Sequence, residues 1–442
     1  MPAGRSTTGT PPVAAATDTG FAPTSPKSLE TMYRAVRAQS ETLCAPLLPE
    51  DCVAQSMAEV SPAKWHLAHT TWFFETFVLP AALADYREYH PRYRFLFNSY
   101  YNAVGPQFPR PKRGLLTRPP VEEVYRYRAH VDDHMQDVFA HTDQARLDQR
   151  GPIIELGLHH EQQHQELILT DIKHVFSCNP LNPTYRERPD DEPAGVRPME
   201  WLSYPGGIHP VGHSGPGFAY DNEKPQHPVC LQPFELASRL VTNAEYRAFI
   251  DDGGYTRPKH WLSDGWNVVR RNDWSAPLYW CRDGAGWSVM TLAGLRPLVD
   301  AEPVCHVSFY EADAYARWAG ARLALEAEWE VAARPLPVTG NFADSGRLHP
   351  APENGAIDCD APRQMFGDVW EWTASPYIAY PGYRPAPGAV GEYNAKFMCN
   401  QIVLRGGSCV TPGSHVTKSY RNYFEPDARW QFTGIRLARD PT

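Results

Sequence analysis

Residues 179–198, NPLNPTYRERPDDEPAGVRP, divide this chain into two kinds of sequence. Before them, apolar residues recur at steps of three and four; after them, short strand-like runs alternate with Gly, Pro, Asn and Asp. A proline- and charge-rich stretch between two periodicities reads as a linker, and 442 residues exceed what one core usually serves. The expected organisation is a first domain over 27–180, a linker over 181–198 and a second domain over 199–442. Residues 1–26 hold small residues, Thr and Pro without an apolar run, so a disordered tail is expected there and not a secretory leader.

The first half reads as four helices. Leu29, Tyr33, Val36, Ser40 and Leu43 mark one face of the first, and Ser61-Pro62 reads as the N-cap and first turn of a second reaching about Leu79. Val121, Val124, Val131, Met135 and Val138 stripe a third. Gly151-Pro152 reads as the start of a fourth, with Ile153, Leu156, Leu167, Ile168 and Val175 along one side. Four such helices with one long crossover between the second and third make a four-helix bundle. In the second half helical periodicity is confined to Asn243–Asp251, Tyr310–Trp318 and Glu326–Ala333, so an α+β domain with much irregular structure is expected.

The fourth helix carries His160-Glu161-x-x-His164, the HExxH pattern of zinc proteases. The spacing puts both imidazoles on one side, in line with the inward stripe. His130 and His134 share that spacing but align with Tyr127, Asp137 and His141, off the valine stripe, and are expected in solvent. A third ligand is available from WHLAHTTWFFE on the second helix, where His69 shares a face with Trp65, Trp72 and Thr76 while His66 falls on a neighbouring one. A protease would need a further ligand that is missing: Thr170 occupies the metzincin position, Glu187 and Glu192 lie in the linker, and Glu161 projects about 100° away from His160. Three neutral imidazoles leave a divalent ion with its full charge and open positions, a site that favours an incoming thiolate. Iron(II) there would suit oxygen and zinc would activate water; the ligands alone do not choose.

Other classes are excluded by composition. A formal net charge of −9 leaves nothing to neutralise nucleic-acid phosphates, and no apolar run reaches membrane-spanning length. Nine scattered cysteines without a CxxC pair argue against a disulfide scaffold and for a reducing, cytoplasmic setting. Oligomeric state is not legible.

Both halves resemble known families. The first is similar to the DinB-like bundle, whose three histidines are placed as His69, His160 and His164 are. The second resembles the C-type-lectin-like fold of the formylglycine-generating and sulfatase-modifying enzymes, through EKPQHPVCLQPFELASRLVTNAEYRAFIDDGGY, PVCHVSFYEADAYARWAGARLALEAEWEVAAR, GDVWEWTASPY, LRGGS and GIRLARD. The cysteine pair of the formylglycine-generating enzymes is missing, since Cys409 stands alone after GGS. The fusion of the two resembles the EgtB-type sulfoxide synthases of ergothioneine biosynthesis.

That resemblance implies a mononuclear Fe2+ enzyme using O2 to join the sulfur of cysteine or γ-glutamylcysteine to imidazole C2 of hercynine (Nα-trimethylhistidine), with small molecules as its partners. It implies that Arg110 and Arg113 of FPRPKRG clamp the thiol substrate's carboxylate, that Gln163 contacts the hercynine, and that Asn422, Tyr423 and Phe424 wall its pocket, where aromatic faces suit a quaternary ammonium. The proton donor is expected at Tyr100 or Tyr101; in one branch it comes from the second domain, where Tyr377, Tyr380 and Tyr383 are available. Whether the second domain also holds a structural Ca2+ is left open by the sequence. The alternatives are a synthase acting at C5 of unmethylated histidine, as in ovothiol formation, a zinc thiol transferase, and a lectin-like binding module without catalysis.

Overall fold

The computed structural model describes residues 25–141, 143–188, 195–284, 286–353 and 361–441. Most of the expected tail and the middle of the expected linker lie outside these residues.

Helix α1 (Pro26–Cys44) begins where the Ser25 hydroxyl accepts from the Ser28 N–H. Its expected stripe from Leu29 to Leu43 is buried throughout. Helix α2 (Ala63–Phe77) is buried on every side from Ala63 to Glu75. Ser61 does not cap it: Ser61 donates its N–H to Asp171 and accepts at its hydroxyl from Arg113, and Pro62 occupies the cap position. The crossover that follows contains the one-turn helices α3 (Leu79–Ala82) and α4 (Tyr93–Leu96) and a 3-10 turn over Arg110–Leu115. Helix α5 (Val121–Ala140) buries Val124, Val131, Met135 and Val138 of its expected stripe, while Val121 at its start is half-buried. His130 and His134, expected in solvent, are half-buried beside Tyr86, and Tyr127 is wholly buried and donates to Glu75.

Helix α6 (Gln144–Ser177) starts two turns before the expected Gly151-Pro152. Asp143 caps it by accepting from the Arg146 N–H, and the helix continues through Pro152. It packs on α1 and α2, and its interior residues Ile154, Leu158, Ile168 and Ile172 are buried. The expected residues Ile153, Leu156, Leu167 and Val175 are only half-buried; Leu156 and Leu167 border open space between the bundle and the second domain.

The second domain is built on small sheets. Strands β1 (Trp201–Tyr204), β4 (Phe234–Ala237), β13 (Leu437–Arg439) and β8 (Arg322–Leu323) form an antiparallel sheet in that order. A second sheet runs β11 (Asn422–Phe424), β10 (Ile402–Arg405), β9 (Trp370–Pro376), β12 (Thr433–Gly434), with only the last pair parallel. The hairpin β2–β3 (Gly207–Val211, His227–Leu231) and the meander β5–β7 (Trp280–Asp283, Gly286–Thr291, Gly294–Pro297) complete it. Arg436 joins the two larger sheets: its guanidinium, wholly buried, meets both oxygens of Glu371 at 2.8 and 2.9 Å. GDVWEWT and GIRLARD are thus neighbours in space.

The three expected helices are present as α7 (Asn243–Asp251), α9 (Phe309–Trp318) and α10 (Glu326–Ala333); α7 and α9 open on capping boxes, Thr242 with Glu245 and Ser308 with Glu311. Helix α8 (Ser263–Arg271) was not expected. Gly265 in its first turn lowers helix propensity, yet a Cβ there would come within 2.8 Å of the Tyr310 ring, so the close contact explains the glycine. No helix among the described residues is long and apolar enough to cross a membrane.

Candidate metal centre and interdomain cavity

Helices α2 and α6 cross where Gly157 lets them touch. A Cβ at Gly157 would lie 2.8 Å from ring carbons of both Phe73 and Phe74. This approach brings His160, one turn on, beside His69. Ring centroids stand 4.9 Å apart for His69–His160, 4.8 Å for His69–His164 and 4.6 Å for His160–His164. One nitrogen from each ring lies within 4.8 Å of the others, the kind of cluster that can hold one ion.

The surroundings of each ring fit it for a metal. His69 is held between Trp65 and Trp72, with near-parallel planes, and its Nδ1 lies 2.6 Å from the Phe97 carbonyl. A carbonyl only accepts, so Nδ1 carries the hydrogen and Nε2 keeps the lone pair. That Nε2 is buried without a hydrogen-bond partner among the described residues, as are both ring nitrogens of His160. Orphaned buried nitrogens are costly unless something binds them. Burial pushes the pKa of His160 down to about 3; burial and then the neighbouring imidazoles hold His69 and His164 well below the ordinary histidine value. All three are therefore neutral, the form that ligates.

Glu161 faces the other way. It is fully buried, where Arg37 (2.9 Å), Arg128 (3.0 Å) and Ser40 (2.7 Å) donate to it. Burial raises its pKa, but the two guanidiniums outweigh that and leave it below the usual range. Glu161 ties α1 and α5 to α6 and takes no part in the histidine cluster, which removes the protease reading of HExxH.

His160, Gln163 and His164 line a cavity of about 400 Å³ between bundle and second domain. Arg113 reaches it with its guanidinium 3.4 Å above the Trp65 ring, donating to Ser61 and Ser99. Burial, and next to it Arg110, lower its pKa, so an anionic group would relieve its surroundings. Arg110 is exposed at the rim and donates to the Glu59 carbonyl. From the second domain Asn422, Tyr423 and Phe424 on β11 line the same space. Tyr423 is stacked 3.9 Å from Tyr377.

The tyrosines are arranged differently from the expectation. Tyr100 lines the cavity, whereas Tyr101 is wholly buried behind it, stacked at 4.6 Å. Tyr377, Tyr380 and Tyr383 do not line it: their hydroxyls bond Asn222, Glu326 and Asp221. Four other second-domain tyrosines line it, Tyr220, Tyr393, Tyr420 and Tyr423; of these Tyr393 donates to Gln163 and stands 5.6 Å from the His160 ring. The preceding Glu392 accepts the backbone N–H groups of Asn102 and Ala103, fastening the Tyr100 loop beside Tyr393. Gln163 is held from both sides, since its amide nitrogen donates to Tyr420 at 2.8 Å. Sequence reasoning missed Tyr393 because it lies in a Gly- and Pro-rich loop without a motif. His66 stood in view, in the same helix as His69. Cys409 is buried, its thiol pKa raised by burial, and it does not line the cavity.

Residues 187–357 and 361–441 match the sulfatase-modifying factor enzyme 1-like domain, and residues 32–168 match the DinB superfamily. The hercynine oxygenases of Mycolicibacterium thermoresistibile and Mycolicibacterium smegmatis are each 36% identical to this chain, over 64 and 66% of it and 67 and 73% of their own lengths. That of Mycobacterium tuberculosis is 40% identical over 50% of this chain and 56% of its own. This chain belongs to the hercynine oxygenase family. As a member of the hercynine oxygenase family it is an oxygen-using oxidoreductase, which sets aside the binding-module and zinc-transferase readings. In this chain the bundle supplies the histidines, and the sulfatase-modifying-type domain closes the cavity that His160 and His164 line.

Proposed function

We propose that this chain is an iron(II)- and O2-dependent sulfoxide synthase that joins the sulfur of cysteine or γ-glutamylcysteine to imidazole C2 of hercynine. The observation that carries this reading is a cluster of three unprotonated imidazoles, two of which (His160 and His164) line a cavity that also holds a buried arginine and an aromatic wall. The reaction balances without an external reductant: thiol and imidazole C–H give up two hydrogens, and one O2 becomes the sulfoxide oxygen and one water.

His69, His160 and His164 would hold the iron, which when bound supplies the redox chemistry with O2 and favours the thiolate form of an incoming thiol. Arg113, with Arg110 at the rim, would take the thiol substrate's carboxylate. Tyr423 and Phe424, which line the cavity, would offer aromatic surface to a trimethylammonium group, which cannot donate an N–H hydrogen bond; this favours hercynine over histidine. Gln163, its amide fixed by Tyr393 and Tyr420, would orient the hercynine imidazole. Tyr100 is positioned to hold or deliver a proton at the cavity, with Tyr101 behind it, and Tyr393 is the second-domain candidate for the same role. Burial raises all three phenols, so they stay protonated donors at neutral pH. The buried free thiols Cys44, Cys52, Cys305 and Cys409 suit the reducing cytoplasm in which we place the enzyme.

The test is anaerobic reconstitution with Fe2+ followed by oxygen-electrode assays with hercynine plus either thiol. Oxygen uptake that needs iron, hercynine and thiol together, with a sulfoxide product, is expected. Uptake with histidine in preference to hercynine would move the enzyme to the C5-type reaction, and turnover without oxygen would end the proposal. Metal analysis of the same sample decides whether the second domain holds a structural Ca2+.

A further inference from the structure

Beside the histidine cluster, starting from His66 at the cavity wall, runs a line of polar groups that the proposed iron chemistry leaves unused. His66 is 2% exposed on α2. Its Nδ1 lies 2.7 Å from Nδ1 of His164, and its Nε2 lies 3.0 Å from Oδ2 of Asp171, two turns further along α6. Two nitrogens that close share one hydrogen, so one donates and the other accepts. Asp171 is an acceptor: the same oxygen takes the Ser61 N–H at 2.8 Å, and its other oxygen takes the Thr170 hydroxyl at 3.3 Å. His66 therefore donates from Nε2, accepts at Nδ1, and leaves Nδ1 of His164 as the donor. Only that tautomer gives His164 a free lone pair at Nε2.

The three ring environments differ. His69 leans on a neutral carbonyl and His160 has no partner on either nitrogen among the described residues. His164 alone of the three is connected to a carboxylate. We infer that Asp171 and His66 are positioning residues for the metal centre: they fix the ligating tautomer of His164 and place a buried negative charge behind a ligand set that has none. Ser61 extends the connection, because its N–H binds Asp171 while its hydroxyl receives Arg113. The metal ligand and the thiol-binding arginine thus share one anchor. This rests on the iron reading above. A purely structural pair would join α2 to α6 just as well but would not tune a metal.

The experiment has two arms. In the metal-free protein, histidine-selective 15N NMR reads the tautomers directly: His164 is expected as Nδ1–H and His66 as Nε2–H, and the reverse assignment overturns the inference. In the second arm Fe2+ affinity is measured by anaerobic chelator competition, and Co2+ substituted at the site reports donor strength through its visible bands. Asp171→Asn keeps an acceptor but removes the charge, and His66→Phe removes the link. Both are expected to weaken Fe2+ binding by about 10–100-fold and to shift the Co2+ bands. Wild-type affinity and spectrum in either folded variant overturn the relay while leaving the iron site standing. Failure of the unaltered protein to bind either ion would overturn the iron reading, and the relay with it.

Discussion

Replacing Glu161 separates the structural account of HExxH from a catalytic one. Glu161→Gln keeps the shape but removes a charge that two buried arginines face, at 2.9 and 3.0 Å. Leaving a buried charge unpaired costs about 3–5 kcal/mol. Here the arginines retain other acceptors: Asp132 and Thr71 for Arg37, and the Leu67 and Arg37 carbonyls for Arg128. The lower end applies, about 3 kcal/mol, which in a bundle of this size lowers the melting temperature by roughly 6–12 °C. The sign with pH follows from the depressed folded pKa. The contribution is complete above the unfolded carboxylate value of about 4.3 and is lost as pH falls through the lower folded value. The deficit of Glu161→Gln should therefore be constant from pH 6 to 8 and shrink only in acid. Thermal melts across pH, with Fe2+ stoichiometry on the folded fraction, provide the assay. A variant that melts like the wild type yet loses iron or turnover would refute the reasoning, because Glu161 would then be acting at the metal.

His164→Ala should abolish stoichiometric iron, since it removes one of three ligands; retention of tight Fe2+ binding in a chelator competition would exclude it from the set. Gly157→Ala forces a methyl group against Phe73 and Phe74, costing about 1–3 kcal/mol, and should weaken iron binding by displacing His160; unfolding curves and iron titration read both. Arg113→Lys loses the planar fork above Trp65 and should raise KM for the thiol about tenfold or more at nearly unchanged kcat, with KM for hercynine as the internal control. Tyr100→Phe, Tyr101→Phe and Tyr393→Phe should differ in the ratio of sulfoxide to oxidised thiol measured by mass spectrometry, the largest diversion marking the proton donor; identical ratios in all three would remove tyrosine from that role.

Much of the bundle could be read from the chain because each of its exposed helices turns one face to water. The stripe of α1 and the valines of α5 emerge where expected, and the His160/His164 pair is visible as an i,i+4 step on an inward line. Helix α2 shows where this fails. Buried on all sides, it carries no stripe, so its start was misplaced by a residue and His66 was set aside on a neighbouring face. Proline within a helix reads as a start, so α6 begins two turns before the sequence places it, and of its expected stripe Ile168 is buried while Leu156 and Leu167 border the interdomain space.

Local chemistry thus determined which imidazoles could share a turn, where most helices run, and that the two halves have separate architectures. It could not determine what faces an element from afar. That His69 meets His160, that Glu161 is bound by arginines from α1 and α5, that Tyr393 and not Tyr377, Tyr380 or Tyr383 enters the cavity, and that Tyr101 lies behind Tyr100 were all decided by packing. The reason is physical: a side chain's direction follows from its own few residues, whereas its partner is set by how distant surfaces close over it, and that closure is encoded in no single stretch of chain.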